Sequence, residues 1–173
     1  MKDIGPCESF LGIRIIRDRK NRQIHLVQDQ YSERVLKSFE LENAAPIYTP
    51  MDVGALQLIV PYDGKASDDE VKRYQSGTGS LMYAITQTRG DLSFTVSTLC
   101  QFNSNPSPVH WKACKRALIY LGCTAKVGIT LRALETKYSL GYHGFSDSDY
   151  GGDVGTRKST SGYVFFMAGG PVS

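Results

Sequence analysis

The sequence lacks the patterns by which small extracellular or metal-stapled proteins hold themselves together. Its four cysteines, Cys7, Cys100, Cys114 and Cys123, form no Cys-x-x-Cys pair, and the three histidines do not fall at zinc-finger spacing. Free thiols in a reducing compartment fit that usage. No apolar run approaches the ~20 residues of a membrane-spanning helix, and "MKDIGPCESF" has no apolar signal core. An intracellular protein, cytoplasmic or nuclear and not secreted, is expected. Charge of one sign is also scarce: 20 Lys and Arg against 17 Asp and Glu leave +3, too little to demand a polyanionic partner. "TGS" at 78–80 lacks the spacing and lysine of a phosphate-binding loop. Wholesale disorder is excluded by 41% hydrophobic residues with ten tyrosines and seven phenylalanines.

What is present changes character along the chain. Residues 9–17 and 22–28 are rich in Ile, Leu, Val and Phe around a polar "DRKN", which predicts a hairpin. Tyr31, Val35, Leu36 and Phe39 share a stripe of a helix over about 30–40, with Arg34 and Lys37 beside it. "NAAPIYTPMDVG" breaks that helix. "SDDE" at 67–70 has the form of a capping box. A helix to about 87 should follow, its Gly77 and Gly79 allowing close helix packing. Asp91 opens a short helix. Ser107 and Pro108 are an N-cap and first-turn pair for another, with Trp111, Cys114, Leu118 and Leu121 as its buried stripe and Gly122 as its end. From about 127 the period becomes two, in "VGITLRA", "YSLGYHGFSD" and "SGYVFFMAG". A hairpin, four helices and a small sheet, segregated in that order, predict an α+β architecture, or two domains joined near residue 125.

Two constellations carry possible chemistry. Lys112, Lys115 and Arg116 lie at i, i+3 and i+4, so they form either a phosphate-contacting strip, with Lys126 and Arg132 nearby, or the solvated face of an amphipathic helix. "GFSDSDYGGD" at 144–153 concentrates three aspartates, and strand alternation puts Phe145, Asp147 and Asp149 on one face. Two such carboxylates could share a divalent cation. The other reading is a polar turn open to water, and spacing alone favours it. His110, in the first turn of its helix, reads as a packed or capping histidine, because no nucleophile motif accompanies it.

Taken together, three ordered stretches resemble the polyprotein of copia-type LTR retrotransposons over nearly the whole chain. "MKDIGPCESFLGIRI" is similar to the segment following the catalytic strands of the reverse transcriptase. "YQSGTGSLMYAITQTRGDLSFTVSTLCQFNSNPSPVHWKACKRALIYL" is similar to the long helical stretch, and "GFSDSDYGGDVGTRKSTSGYVFFMAGGPVS" to the opening of RNase H. The resemblance implies a palm-edge hairpin at 1–28, a helical thumb and connector at 29–125, and the first strands of an incomplete RNase H-like mixed sheet at 126–173. It implies that Phe10, Leu11, Gly12 and Ile13 support a primer terminus, and that Lys112, Lys115 and Arg116 contact a duplex backbone without reading its sequence. Asp147 matches the first metal-binding carboxylate of RNase H. Asp149, two residues on, is a second candidate ligand without an assigned role. Arg157, Lys158, Ser159, Thr160 and Gly162 match the start of the second strand.

Departures from the pattern limit the expected activity. No Tyr-x-Asp-Asp occurs in the chain, and the further RNase H acids would lie beyond its end. Gly90 stands where proline is usual, and "YLGCT" where Tyr-Leu-Lys-Gly-Thr is common. The parent enzyme would copy RNA into DNA and hydrolyse the RNA strand using Mg²⁺ or Mn²⁺. This chain alone is expected to do neither and to hold neither ion tightly. Expected partners are a template–primer duplex or RNA–DNA hybrid, bound weakly, and the remainder of the polyprotein, with no membrane. The alternatives are a non-catalytic, sequence-indifferent nucleic-acid-binding module or an inert relic.

Overall fold

Residues 5–133, 141–152 and 157–173 are described by a computed structural model of the chain. Asp153 and the first residues of the expected run at 138–147 lie outside them. The architecture is α+β, as expected, with two compact units: Met1–Arg14 with Val27–Gly128, and Ile15–Leu26 with Ile129–Ser173.

In the first unit, strands β1 (Ser9–Phe10) and β2 (Ile13–Asp18) pair antiparallel, Phe10 opposite Ile13, across a two-residue turn. Helices α1 (Asp29–Ser38), α3 (Asp68–Gln87), α4 (Ser93–Cys100) and α5 (Pro108–Cys123) follow, with a one-turn α2 (Ala55–Leu58) and a 3₁₀ turn (Gly90–Leu92). Helix α3 starts where the serine signal falls: Ser67 Oγ accepts from Glu70 N at 3.3 Å while Glu70 Oε2 accepts from Ser67 N at 2.8 Å. That reciprocal cap stabilises the first turn by about 1 kcal/mol. Helix α5 uses the same device with a histidine in the glutamate's place: His110 Nδ1 accepts from Ser107 N at 2.9 Å. The histidine is fully buried, stacks on Phe102 at 4.0 Å, and its Nε2 meets the Val60 carbonyl at 3.0 Å. It is packed and capping, as its isolation in the sequence indicated.

The core lies among α3, α4 and α5. Leu81, Leu92, Leu99, Leu118 and Leu121 are all 0% exposed, each burial being worth about 1.5–3 kcal/mol. Glycines set how closely the helices approach. A Cβ on Gly77 would stand 2.8 Å from the Cys114 sulfur, and one on Gly122 would stand 2.1 Å from Leu36 Cδ1. Gly122 therefore does not end α5, which runs on to Cys123; it admits the side chain of Leu36 from α1. Gly79 has open space beside it and serves no packing role. The turn α2 forms just after the helix-breaking stretch that ends at Gly54.

The second unit takes in β2 from Ile15 onward, and in the sheet order β2 is followed by β3 (Gln23–Val27) and β4 (Gly128–Arg132). A second antiparallel sheet runs β5 (His143–Ser148), β6 (Ser161–Met167), β7 (Gly170–Pro171), with Phe145 opposite Val164 and Asp147 opposite Gly162. Ala168 and Gly169, at φ 51° and 75°, make the tight turn between β6 and β7. The Ala168 carbonyl accepts from Arg132 N at 2.8 Å, tying that turn to β4. Aromatic rings occupy both faces of the sheet: His143 stacks on Phe166, and Tyr142 on Phe165.

Candidate functional site

Three groups of residues were expected to carry function, and the structure treats them differently. The first is the hairpin tip. Leu11 and Gly12 form the β1–β2 turn with φ 48° and 77°, a mirror-image turn that glycine adopts freely and leucine does not. A left-handed leucine costs about 1–2 kcal/mol, so surrounding contacts must fix it. They are present. The Leu11 carbonyl accepts from the Tyr83 hydroxyl of α3 at 2.5 Å, and the Tyr83 ring lies 4.8 Å from that of Tyr31 in α1. Tyr31 in turn donates to the Ser80 carbonyl at 2.9 Å. On β2, Arg14 pairs with Asp29 at the start of α1. Phe10 and Leu11 project outward, 62% and 66% exposed, and Ile13 is half-buried.

The second group is the basic face of α5, which the structure splits. Lys112 is exposed to solvent. Lys115 leans toward the Trp111 ring, 6.0 Å from its centroid. Arg116 turns the other way, pairing with Asp52 at 2.8 Å and donating to Thr49 Oγ1 at 2.6 Å. One residue of helix is about 100° of rotation, enough to send Lys115 and Arg116 to opposite flanks. Arg116 is thus held within the protein, and its place beside Lys115 is taken by Arg73 of α3. The Arg73 guanidinium sits 4.8 Å from the Trp111 centroid, on the opposite helix from the predicted strip. Spacing within α5 could not reveal it. A lone tryptophan flanked by cations was the available signal, since such rings attract guanidinium groups.

The third group is acidic. Asp147 lies on β5 with its carboxylate exposed, one oxygen accepting from Ser148 N at 2.9 Å. The strand ends at Ser148, so the expected alternation does not extend to Asp149. Asp149 instead accepts from Thr160 N at 2.6 Å, and its own N–H donates to the Thr160 carbonyl at 3.1 Å. It closes the entrance to β6 as a turn residue. Among the described residues no three His, Cys, Asp or Glu side chains gather around a common point. One free carboxylate and one engaged in a turn do not fit a two-cation site, which needs several carboxylates around ions ~3.5–4 Å apart.

A fourth cluster flanks Gly90 and includes Tyr120 and Thr124 of "YLGCT", the two places where the sequence departs from the family pattern. Arg89, 1% exposed, donates from Nε and Nη2 to the two oxygens of Asp91 at 2.9 and 2.8 Å. Its other donors reach the end of α5: Thr124 Oγ1 at 2.7 Å, the Thr124 carbonyl at 3.2 Å and the Leu121 carbonyl at 3.5 Å. Tyr120 donates to Asp91 at 2.8 Å. Burial opposes ionisation of Asp91, but the Arg89 hydrogen bonds, its charge and the Tyr120 hydroxyl outweigh that and hold the carboxyl below its ordinary range. Cys114 shows burial unopposed, its thiol pushed up to about 12, which makes it an inert core group.

Several known proteins resemble the chain along its length. A retrovirus-related Pol polyprotein from transposon TNT 1-94 of Nicotiana tabacum is 37% identical along the whole of this chain. Along its whole length the chain is similar to transposon Pol polyproteins. A retrovirus-related Pol polyprotein from transposon RE2 of Arabidopsis thaliana is 35% identical, again along the whole chain. A secreted RxLR effector protein 161 from Plasmopara viticola is 46% identical over 100 residues, covering 58% of this chain and 68% of that protein. The chain spans 13% of the tobacco polyprotein and 11% of the Arabidopsis one. No family model matches it, and no solved structure does.

Proposed function

We propose that this chain corresponds to the stretch joining the end of a reverse transcriptase to the start of an RNase H domain, and that by itself it binds a nucleic-acid duplex without catalysing either reaction. The observation that supports it most is identity at 35–37% along the full chain to polyproteins of which it represents about an eighth. In the parent, Mg²⁺ or Mn²⁺ would serve both reactions; here Asp147 supplies a single free carboxylate toward such a site. Binding would rest on Lys112, Lys115 and Arg73 along the Trp111 edge, and on the Phe10–Ile13 turn. Cations of this kind hold phosphates and leave bases unread.

Two assays test the proposal on the purified chain. No primer extension and no cleavage of an RNA–DNA hybrid are expected with Mg²⁺ or Mn²⁺. Binding of a labelled duplex should be indifferent to sequence and should weaken steeply with salt. Metal-dependent turnover of either substrate refutes the non-catalytic half, and no duplex binding at low salt refutes the other.

A further inference from the structure

Strand β5 carries a free edge. It has β6 on one side, and among the described residues no strand lies on the other. All six of its residues are exposed. The direction of its backbone groups follows from the next strand. Phe165 N donates to the Ser173 carbonyl at 2.7 Å, and the Phe165 carbonyl accepts from Val172 N at 2.8 Å, so both groups turn away from β5. Gly144 is the residue opposite Phe165. In an antiparallel ladder, opposite residues either exchange both bonds or both turn away. Gly144 therefore points its N–H and C=O outward from the sheet edge, and so do Ser146 and Ser148 at the strand's period of two. Ser148 N already donates to Asp147 Oδ1 at 2.9 Å. Gly144 and Ser146 keep their donors and acceptors in line, a ready template for another strand.

Its side chains decide which strand fits. His143, Phe145 and Asp147 share one face of β5. There His143 stacks on Phe166, ring centroids 5.4 Å apart, and Phe145 meets the same ring edge-on at 6.2 Å. Imidazole, aromatic ring and carboxylate, in that order, are complementary to their own reverse. Consider a second copy laid antiparallel about a twofold axis at Phe145. Gly144 then meets the partner's Ser146 and exchanges both backbone hydrogen bonds with it, and the symmetric pair does the same. Phe145 meets the partner's Phe145 at the non-bonded position, about 4.5 Å between Cα atoms, where side chains are closest. His143 faces the partner's Asp147, so an imidazole N–H meets a carboxylate on each side of the axis. Neighbouring registers lose this fit. An axis at Ser146 puts Phe145 against the partner's Asp147 and calls on the Ser148 N–H that Asp147 already holds. An axis at Gly144 overlaps the strands only from His143 to Phe145, since β5 begins at His143.

We infer that β5 is a self-association edge: two copies of this chain pair their β5 strands antiparallel about Phe145, with His143 of each against the partner's Asp147. The same patch meets the same patch, so the contact closes as a dimer and does not extend into a fibre. The inference stands apart from nucleic-acid binding, because every residue it uses lies on β5.

The test is sedimentation equilibrium on the full chain. One strand pair is a small interface of the weak class, so loadings from about 1 μM to about 1 mM are needed. The expected result is a monomer–dimer equilibrium. H143D sets like charges opposite each other on both sides of the axis and should weaken the dimer about tenfold. H143D/D147K makes both pairs complementary again and should recover most of that loss. Circular dichroism melts identify any variant whose sheet fails to form. A second measurement is independent of those charges. With the exposed Cys7 and Cys123 replaced by serine, F145C treated with copper–phenanthroline should link into a dimer, because the two positions face each other within disulfide reach. S146C in the same background should not, since its two copies are diagonal neighbours about 7–8 Å apart. A monomer at every loading overturns the proposal and leaves the edge to a strand of another chain. A dimer that H143D leaves unchanged, or one that links through S146C and not F145C, overturns this pairing.

Discussion

Replacing Arg89 with methionine probes the most heavily connected side chain in the helical unit. Methionine keeps most of the aliphatic volume and deletes the guanidinium, so the expected loss is electrostatic and not a cavity. The wild-type group serves both Asp91 oxygens and three oxygen atoms at the end of α5, while being 1% exposed. Breaking a buried pair by removing one partner costs about 3–5 kcal/mol. The Asp91 side chain is 35% exposed and can recover part of its hydration, which places R89M near the lower end, at about 3 kcal/mol. For a chain of this size that is a fall of roughly 6–12 °C in melting temperature. The second signature is in acid. The folded carboxyl of Asp91 lies below its unfolded value of about 3.9, so its contribution is present above that value and lost as pH falls through the folded one. R89M should flatten that acid limb, and R89M/D91N should regain part of the loss by removing the orphaned carboxylate. Urea unfolding at constant m-value measures the first effect, and the same series repeated from neutral to acid pH measures the second. A loss below about 1 kcal/mol would show that Arg89 is not the tie between α5 and the 3₁₀ turn, contrary to the buried-pair reasoning.

Two further predictions address conformation and pH. Ala168, left-handed at φ 51° before a left-handed Gly169, occupies a turn position that Asn fills better. A168N should raise stability by about 0.5–1 kcal/mol, read as an upward shift of the urea midpoint; a downward shift would contradict the turn assignment. His110 is depressed by burial, with the Val60 carbonyl partly opposing that shift, so its stabilising contribution is present above the unfolded value of about 6.5 and is lost as pH falls through the folded one. Melting temperature should therefore fall between neutral and mildly acid pH, and H110Q should flatten that fall. An unaltered pH profile in H110Q would show that His110 does not titrate with unfolding.

Local signals in the sequence were read correctly where one helix or one strand contains the whole cause. The serine caps of α3 and α5, the stripe through Cys114, Leu118 and Leu121, and the switch to alternation after 127 all depend on neighbours within a few residues. The errors fall where two elements decide jointly. Gly122 reads as a helix end from its own chain segment, yet Leu36 of another helix makes it an interior notch. Lys115 and Arg116 read as one strip, yet Trp111 draws one and Asp52 the other. Arg73 becomes a candidate only when α3 packs on α5.

The same distinction explains the acidic stretch. A metal site is a non-local object: each carboxylate comes from a separate element, and no single segment can specify it. Asp147 is exposed along with every other residue of β5, and Asp149 lies past the strand, where its hydrogen bonds with Thr160 give it a turn to close. Among its described residues the stretch offers Asp147 and Asp149, both exposed, the second already accepting from Thr160 N. The basic and aromatic surfaces of the helical unit differ in kind, because their parts are already assembled. Arg73 and Lys115 are gathered at one ring, and the Phe10–Ile13 turn is fixed by Tyr83. Duplex binding is therefore the reading we propose for this chain, because it asks only for contacts that single helices and turns already present.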